Sequence, residues 1–74
     1  MQITVKLFAT LRVGRRDEEI REYPPGTRIA DIIHDLGIAE KEIGMIMLNS
    51  CHAEPEQLLK EGDSLALFPL VGGG

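Results

Sequence analysis

Apolar and polar positions alternate at both ends of the chain. In residues 1–9 every second side chain is apolar, and residues 64–71 repeat this pattern around Leu65 and Leu67. A period of two is typical of a strand that buries one face. The same alternation places Phe8 and Phe68 on the opposite, exposed face. The sequence therefore predicts a first and a last strand, each with an outward phenylalanine.

A helical period appears only in the middle of the chain, in residues 28–36. Its apolar positions are Ile29, Ile32, Ile33 and Leu36. This spacing puts all four on one face of a helix. Thr27 is a suitable N-cap, because its hydroxyl can accept a bond from a free helix amide. Gly37 can adopt the left-handed conformation that ends a helix.

The other segments predict shorter elements. These are a polar strand at 18–23, a loose helical turn at 39–43, a buried strand at 45–50 bounded by Gly44, a short strand at 51–54, a helical turn at 55–61 and a turn at Gly62-Asp63. A single amphipathic helix needs one sheet face to cover it. We therefore expect an α+β fold, with a mixed sheet wrapped round one helix and the first and last strands parallel at its centre. That arrangement is the β-grasp, or ubiquitin-like, fold.

Length and charge narrow the classes of function. A chain of 74 residues forms one domain, and a domain of this size buries only about 60–65 % of its unfolded surface. A deep active-site cavity is hard to fit, which favours a carrier or subunit over a self-sufficient enzyme. The net charge of -4 argues against nucleic acid and anionic membranes as partners. Arg12, Arg15 and Arg16 are balanced by the acidic residues at 17–19 and do not change this.

The single cysteine and the N-terminal sequence indicate a cytoplasmic location. Cys51 is the single cysteine, so no internal disulfide can form, as suits a reducing compartment. We see no secretion signal and no apolar run near the roughly 20 residues that span a bilayer.

Neither catalysis nor metal binding is favoured by the polar residues. Cys51 and His52 are adjacent, and adjacent residues of a strand point to opposite faces, so they do not form a nucleophile–base pair. With the distant His34 they do not supply the three or four ligands of a metal site. We therefore expect no metal.

Three glycines, Gly72, Gly73 and Gly74, come directly after the last predicted strand. They cannot add to a core and cost conformational entropy when ordered, so we expect residues 1–71 to be the domain and 72–74 a flexible tail. Glycine lets a backbone pass through a narrow site, and the reach from Pro69 to Gly74 is about 20 Å. On composition alone, a frayed end or appended glycines explain the tail equally well.

Both ends of the chain resemble the small subunit of molybdopterin synthase. The residues that carry the resemblance are VKLFATLR (5–12) with Gly14, and GDSLALFPLVGGG (62–74). It implies a β-grasp fold whose Gly74 carboxylate is adenylated by an E1-like enzyme using ATP. A sulfur donor protein then supplies the sulfur of a C-terminal thiocarboxylate. The tail enters the large synthase subunit and gives this sulfur to a pterin precursor.

The resemblance also implies which residues act. Gly73 and Gly74 match the terminal pair that is activated, and no cofactor is bound by the chain itself. The expected partner-binding residues are Phe8, His52, Phe68, Pro69, Val71 and Gly72. The sequence departs from the family at Leu70, where a second proline is common, at Gly72, which replaces a small side-chain residue, and at His52, near a position that is often apolar.

Other functions remain open at this point. Carriers of the thiamine pathway have the same tail but usually lack the LFATLR opening, and related carriers serve tungsten cofactor or cysteine synthesis. A protein modifier would join Gly74 to a lysine by an isopeptide bond. A pure interaction module would use the face of Phe8 and Phe68 and ignore the tail.

Overall fold

The computed structural model describes residues 1–70; Val71–Gly74 lie outside this range. Its elements are β1 (Gln2–Leu7), a 3₁₀ turn (Ala9–Arg12), β2 (Glu18–Glu22), α1 (Ile29–Asp35), a 3₁₀ turn (Glu40–Glu42), β3 (Ile43–Leu48), β4 (Cys51–His52) and β5 (Ser64–Pro69). The expected boundary between domain and tail falls outside the described residues. The predicted strand at 45–50 begins earlier, so Gly44 lies inside β3 and does not bound it.

One mixed sheet holds all five strands, in the order β2-β1-β5-β3-β4. β1 and β5 are parallel neighbours, paired from Thr4 with Ser64 to Leu7 with Leu67. β2 and β3 flank them in antiparallel pairs. The first and last strands are therefore central, and the β-grasp prediction is confirmed.

The core lies between this sheet and α1. Its largest fully buried side chains are Ile3, Val5, Ile29, Ile32, Ile33, Leu65 and Leu67. They are the inward positions of the two predicted strands and of the helix face. Each such side chain stabilises the fold by about 1.5–3 kcal/mol. The other sheet face has no helix over it among residues 1–70, and it carries the outward side chains of β1 and β5.

The start of α1 differs from the prediction. Thr27 is not its N-cap: its hydroxyl donates to the Pro24 carbonyl at 2.7 Å, and the helix begins after Arg28. The Asp31 carboxylate instead accepts the Arg28 amide at 2.9 Å. At the other end the prediction is confirmed, since Gly37 has a φ of 74° and ends the helix.

Residues 55–61 do not form the predicted helical turn. The chain makes a tight turn after Glu54, forms an isolated bridge between Leu58 and Arg28, and turns again at Glu61-Gly62. The carbonyls of Pro55 and Gln57 accept the Ala30 and Ile29 amides at 2.9 and 3.1 Å. These carbonyls satisfy the first helix amides, a role they could not fill if they were bonded inside a helical turn of their own.

A buried carboxylate fixes the turn that leads into β5. Asp63 is only 6 % exposed, and its carboxylate accepts the Asn49 side-chain amide at 2.9 Å and the Lys60 backbone amide at 2.7 Å. The Asn49 side-chain oxygen in turn accepts the Ser64 amide at 2.9 Å. This network joins the β3–β4 turn to the first residue of β5.

Candidate functional site

Two stacked phenylalanines mark the uncovered face of the sheet. The rings of Phe8 and Phe68 have centroids 4.4 Å apart and planes 10° apart. Their backbones meet as well, because the Phe8 amide donates to the Leu67 carbonyl at 3.2 Å. Phe8 remains 38 % exposed. The structure thus brings together the two aromatic residues that alternation predicted on this face.

Further apolar side chains surround this pair. The strand pairing puts Met45 beside Phe68 and Met47 beside Ala66. A shallow depression of about 220 Å³ opens here, lined by Lys6, Phe8, Met47, Ser50, Ser64, Ala66 and Phe68. We call Phe8, Met47, Ala66 and Phe68 the aromatic face. Met47 was not predicted on this face, although alternation around the buried Ile46 would have placed it there.

His52 lies on the edge strand β4, two strands away from Phe68. It pairs with Met47 on the edge strand β4 and lines a different groove of about 480 Å³. This groove runs along β3 and the segment up to Pro55, with Glu40 and Glu54 on its wall. Because opposed residues of an antiparallel pair share a face, His52 lies on the same side of the sheet as Met47, at the outer edge of that face and separated from the stacked rings by β3.

Pro69 and Leu70 lead from the aromatic face toward the terminal glycines. Pro69 pairs with Ile43 at the end of β5, and the Leu70 amide donates to the Glu42 carbonyl at 2.9 Å. The Leu70 side chain is 64 % exposed. The predicted site residues Val71, Gly72, Gly73 and Gly74 lie outside the described residues.

Cys51 and His52 form the short edge strand β4. Cys51 and His52 are both exposed, and their pairing with successive β3 residues puts them on opposite faces, as predicted. The described residues contain no group of three or more His, Cys, Asp or Glu side chains able to hold a metal ion. No helix in this part of the chain is long and apolar enough to cross a membrane.

A charged cluster lies between β2 and α1, on the helix side of the sheet. Arg21 donates to Glu19 at 2.6 Å, to Asp35 at 2.8 Å and to the Tyr23 hydroxyl at 2.8 Å. The bond to Glu19 raises the pKa of Arg21 above its ordinary value. Burial raises the pKa of Tyr23, opposed by the hydrogen bond from Arg21. This cluster ties the edge strand to the helix and does not contribute to the aromatic face.

The topology and the strand leading toward the C-terminal glycines define a ubiquitin-like carrier or modifier fold. Residues 5–74 match the ThiS family, and the chain belongs to that family. The match covers both the described domain and the terminal glycines. No curated protein matches the chain significantly.

Solved structures of other proteins share the fold of this chain. A Pyrococcus furiosus protein assigned as molybdopterin converting factor subunit 1 is 32 % identical, with a TM-score of 0.75 over 96 % of this chain and 99 % of that one. SAMP1 from Haloferax volcanii is 23 % identical, with a TM-score of 0.77 over the whole of both chains. The complex of subunits 1 and 2 of molybdopterin-converting factor from Helicobacter pylori matches at 24 % identity and a TM-score of 0.67, again over both whole chains. The last two likenesses concern the fold alone.

Proposed function

We propose that this protein is a sulfur carrier whose Gly74 carboxylate is adenylated and then converted to a thiocarboxylate for molybdopterin synthesis. The observation that carries the proposal is the family match, which continues from the domain through the terminal glycines to Gly74. The central strand β5 ends beside the aromatic face and leads directly toward these glycines. A partner bound to the aromatic face would therefore lie near the start of the tail.

The chemistry assigned to Gly74 needs an activating enzyme. A carboxylate is a poor electrophile, so its oxygen first attacks the α-phosphorus of ATP, giving an acyl adenylate and pyrophosphate. The terminal sulfur of a persulfide on a donor protein then displaces AMP and forms an acyl disulfide. A thiol attacks the donor's own sulfur in this disulfide, which breaks the S–S bond, releases the thiocarboxylate and leaves the donor joined to the thiol as a disulfide. ATP belongs to the E1-like enzyme, and Gly73 lets the backbone pass through its narrow site. The carrier catalyses none of these steps itself.

The aromatic face serves as the docking surface in this proposal. Phe8 and Phe68 present rigid apolar area, the kind of side chain that dominates binding energy at protein interfaces. Pro69, Val71 and Gly72 would contact the partner as the tail enters it. His52 would contact a partner that extends from the aromatic face across β3 to the edge strand β4. The protein would work in the cytoplasm.

Molybdopterin synthesis is the favoured pathway because the Pyrococcus furiosus relative assigned to this system is 32 % identical over nearly the full length of both chains. The Helicobacter pylori neighbour is seen in complex with a second subunit. We accordingly propose that this chain is the small subunit of a heteromeric molybdopterin synthase and that it binds the large subunit of that enzyme.

A protein modifier is the second candidate, since the fold also matches a small archaeal modifier protein. Both functions begin with adenylation of Gly74 and differ in the group that attacks next. A lysine would give an isopeptide, whereas sulfur gives a thiocarboxylate. Transfer of the sulfur to a thiazole precursor instead of a pterin precursor would indicate the thiamine pathway.

Docking on the aromatic face can be tested by adenylation kinetics. With an E1-like enzyme and ATP, we expect pyrophosphate release that is lost when Gly74 is deleted. Phe68→Ala should raise the KM for the carrier about tenfold or more, because truncating an aromatic anchor costs about 2 kcal/mol. Leu58→Ala is the matched control, since Leu58 is an exposed apolar residue outside this face. Equal KM values for the two variants would contradict docking through the aromatic face.

A further inference from the structure

The backbone of β3 passes unusually close to the end of β5 at Gly44. A Cβ atom placed on Gly44 would lie 2.5 Å from the Pro69 carbonyl oxygen and 2.8 Å from the Leu70 Cα. Both atoms belong to the backbone, so no side-chain rotation could relieve the contact. Only glycine fits at this point of the strand.

The close approach coincides with an irregularity in the pairing of the two strands. The register shifts between Ile43 and Met45, so Gly44 is the extra residue of a bulge. A bulge bends its strand and redirects the residues beyond it. Beyond the bulge, Ile43 pairs with Pro69, and the Leu70 amide donates to the Glu42 carbonyl at 2.9 Å. We call Glu42, Gly44, Pro69 and Leu70 the tail root.

We infer that Gly44 is a positioning residue for the reactive C-terminus. Because it has no side chain, the start of β3 can pack against Pro69 and Leu70 and fix the direction in which the chain leaves β5. This inference rests on the proposed function of Gly74. Gly44 itself carries no reacting group. It acts through Pro69 and Leu70, which fix where the remaining four residues begin.

The tail root matters because docking and delivery are separate steps. Phe68 belongs to the docking surface, and Leu70 lies only two residues further along the chain. A root held by β3 keeps a fixed geometry between the docked face and the origin of the tail. A tail root that is already restrained in the free protein loses less conformational entropy on binding. Once the carrier is docked, the Gly74 carboxylate should therefore reach the activating site more often.

Alanine at position 44 should release the root without disturbing the core. The two strands must separate locally, which breaks the Leu70–Glu42 hydrogen bond. Farther along, Ile46 pairs with Leu67 and Leu48 with Leu65 on the other side of the bulge. That part of the ladder and the stacked rings should persist, so docking should be preserved.

Amide hydrogen exchange of the unaltered protein tests the root without any assumption about function. We expect the Leu70 amide to exchange more slowly than an unprotected amide, because it donates to Glu42. Gly44→Ala should remove this protection while leaving that of Leu67 in place. Exchange of the wild-type Leu70 amide at the unprotected rate would overturn the inference, even if the alanine variant does not fold.

Adenylation kinetics with the E1-like enzyme and ATP test the consequence. Gly62→Ala is the matched control: Gly62 has a φ of 82°, so alanine strains the backbone there too, but it lies at the opposite end of β5 with open space around its Cα. We expect Gly44→Ala to lower kcat about tenfold at an almost unchanged KM. Gly62→Ala should change neither constant when folded protein is compared.

The outcomes separate the inference from the proposed function. If the wild-type protein is never adenylated, the proposed function fails, whereas the exchange experiment still decides whether the root is held. If the wild type is adenylated but Gly44→Ala and Gly62→Ala have the same kcat, Gly44 has no positioning role. A rise in KM alone would likewise overturn the inference, because it would assign Gly44 to docking.

Discussion

Tyr23 links the edge strand to the helix through its hydroxyl group. The hydroxyl accepts from Arg21 at 2.8 Å and donates to Asp35 at 3.1 Å. Burial raises the pKa of Tyr23, so its phenolate is less stable in the folded than in the unfolded protein. Its contribution to stability is therefore complete below the unfolded value of about 10 and is lost as pH rises through the higher folded value.

We predict that Tyr23→Phe lowers the free energy of unfolding by about 1 kcal/mol near neutral pH, since it removes these hydrogen bonds. The difference between the two proteins should shrink as pH rises above about 10. Urea unfolding of both proteins across this range measures it, and titration of Tyr23 in the wild type can be monitored because it is the single tyrosine. A difference that grows with pH would contradict the raised pKa.

Residue-level prediction succeeded where a side chain depends on strand alternation alone. The outward positions of Phe8 and Phe68 result from period two, and the structure places them together. Prediction failed for Thr27, because the N-cap depends on where the helix starts, and distant carbonyls of Pro55 and Gln57 help decide that. Asp63 looked like an ordinary turn residue. Its burial depends on Asn49, fourteen positions away.

The structure gives a reason for Leu70 at a position where the small subunit of molybdopterin synthase often has a second proline. A proline there would restrain the backbone through its ring but could not donate a hydrogen bond. Leu70 retains its amide, which donates to the Glu42 carbonyl. This chain therefore restrains the start of its tail by a bond to the residue that precedes β3.

At the scale of elements, the C-terminal end of α1 depends on a side chain from outside the helix. The Arg15 guanidinium donates to the carbonyls of Leu36 at 3.0 Å, Leu11 at 3.1 Å and Gly37 at 3.4 Å. A cation at this end also interacts favourably with the helix dipole. Arg15 thus joins the loop after β1 to the helix end, rather than forming part of a basic binding patch.

We predict that Arg15→Ala lowers the free energy of unfolding by about 1 kcal/mol, because the partly buried carbonyls of Leu36 and Leu11 lose a charged donor. Arg16→Ala is the matched control, since the Arg16 side chain is exposed and should change stability by less than about 0.5 kcal/mol. Urea unfolding measures both. Equal effects would show that the helix end does not depend on Arg15.

Element prediction was good for periodic segments and poor for irregular ones. The apolar period of α1 and the alternation of β1 and β5 reflect burial in the core, so they can be seen in the sequence. Residues 55–61 have local helical character but form no helical turn, because the carbonyls of Pro55 and Gln57 accept the first amides of α1. The bulge at Gly44 depends on the path of β5 and has no local signal beyond the glycine itself.

At the scale of the whole molecule, one helix and alternating strands were enough to predict the β-grasp fold. A single helix can cover only one sheet face, which leaves the aromatic face uncovered. Strand register and the tail root could not be predicted, because they depend on contacts between segments far apart in the chain. Composition alone could not distinguish a functional glycine tail from a frayed chain end. Its interpretation comes from the family match, which extends through Gly74.

The most direct measurement is the intact mass of the carrier after incubation with an E1-like enzyme, ATP and a sulfur donor protein. We predict a gain equal to the exchange of one oxygen for sulfur. The gain should require ATP and disappear when Gly74 is deleted. Adenylation without sulfur gain, with subsequent linkage of Gly74 to lysines, would indicate a modifier instead. An unchanged mass with an enzyme that activates a related carrier under the same conditions would contradict the sulfur-carrier function.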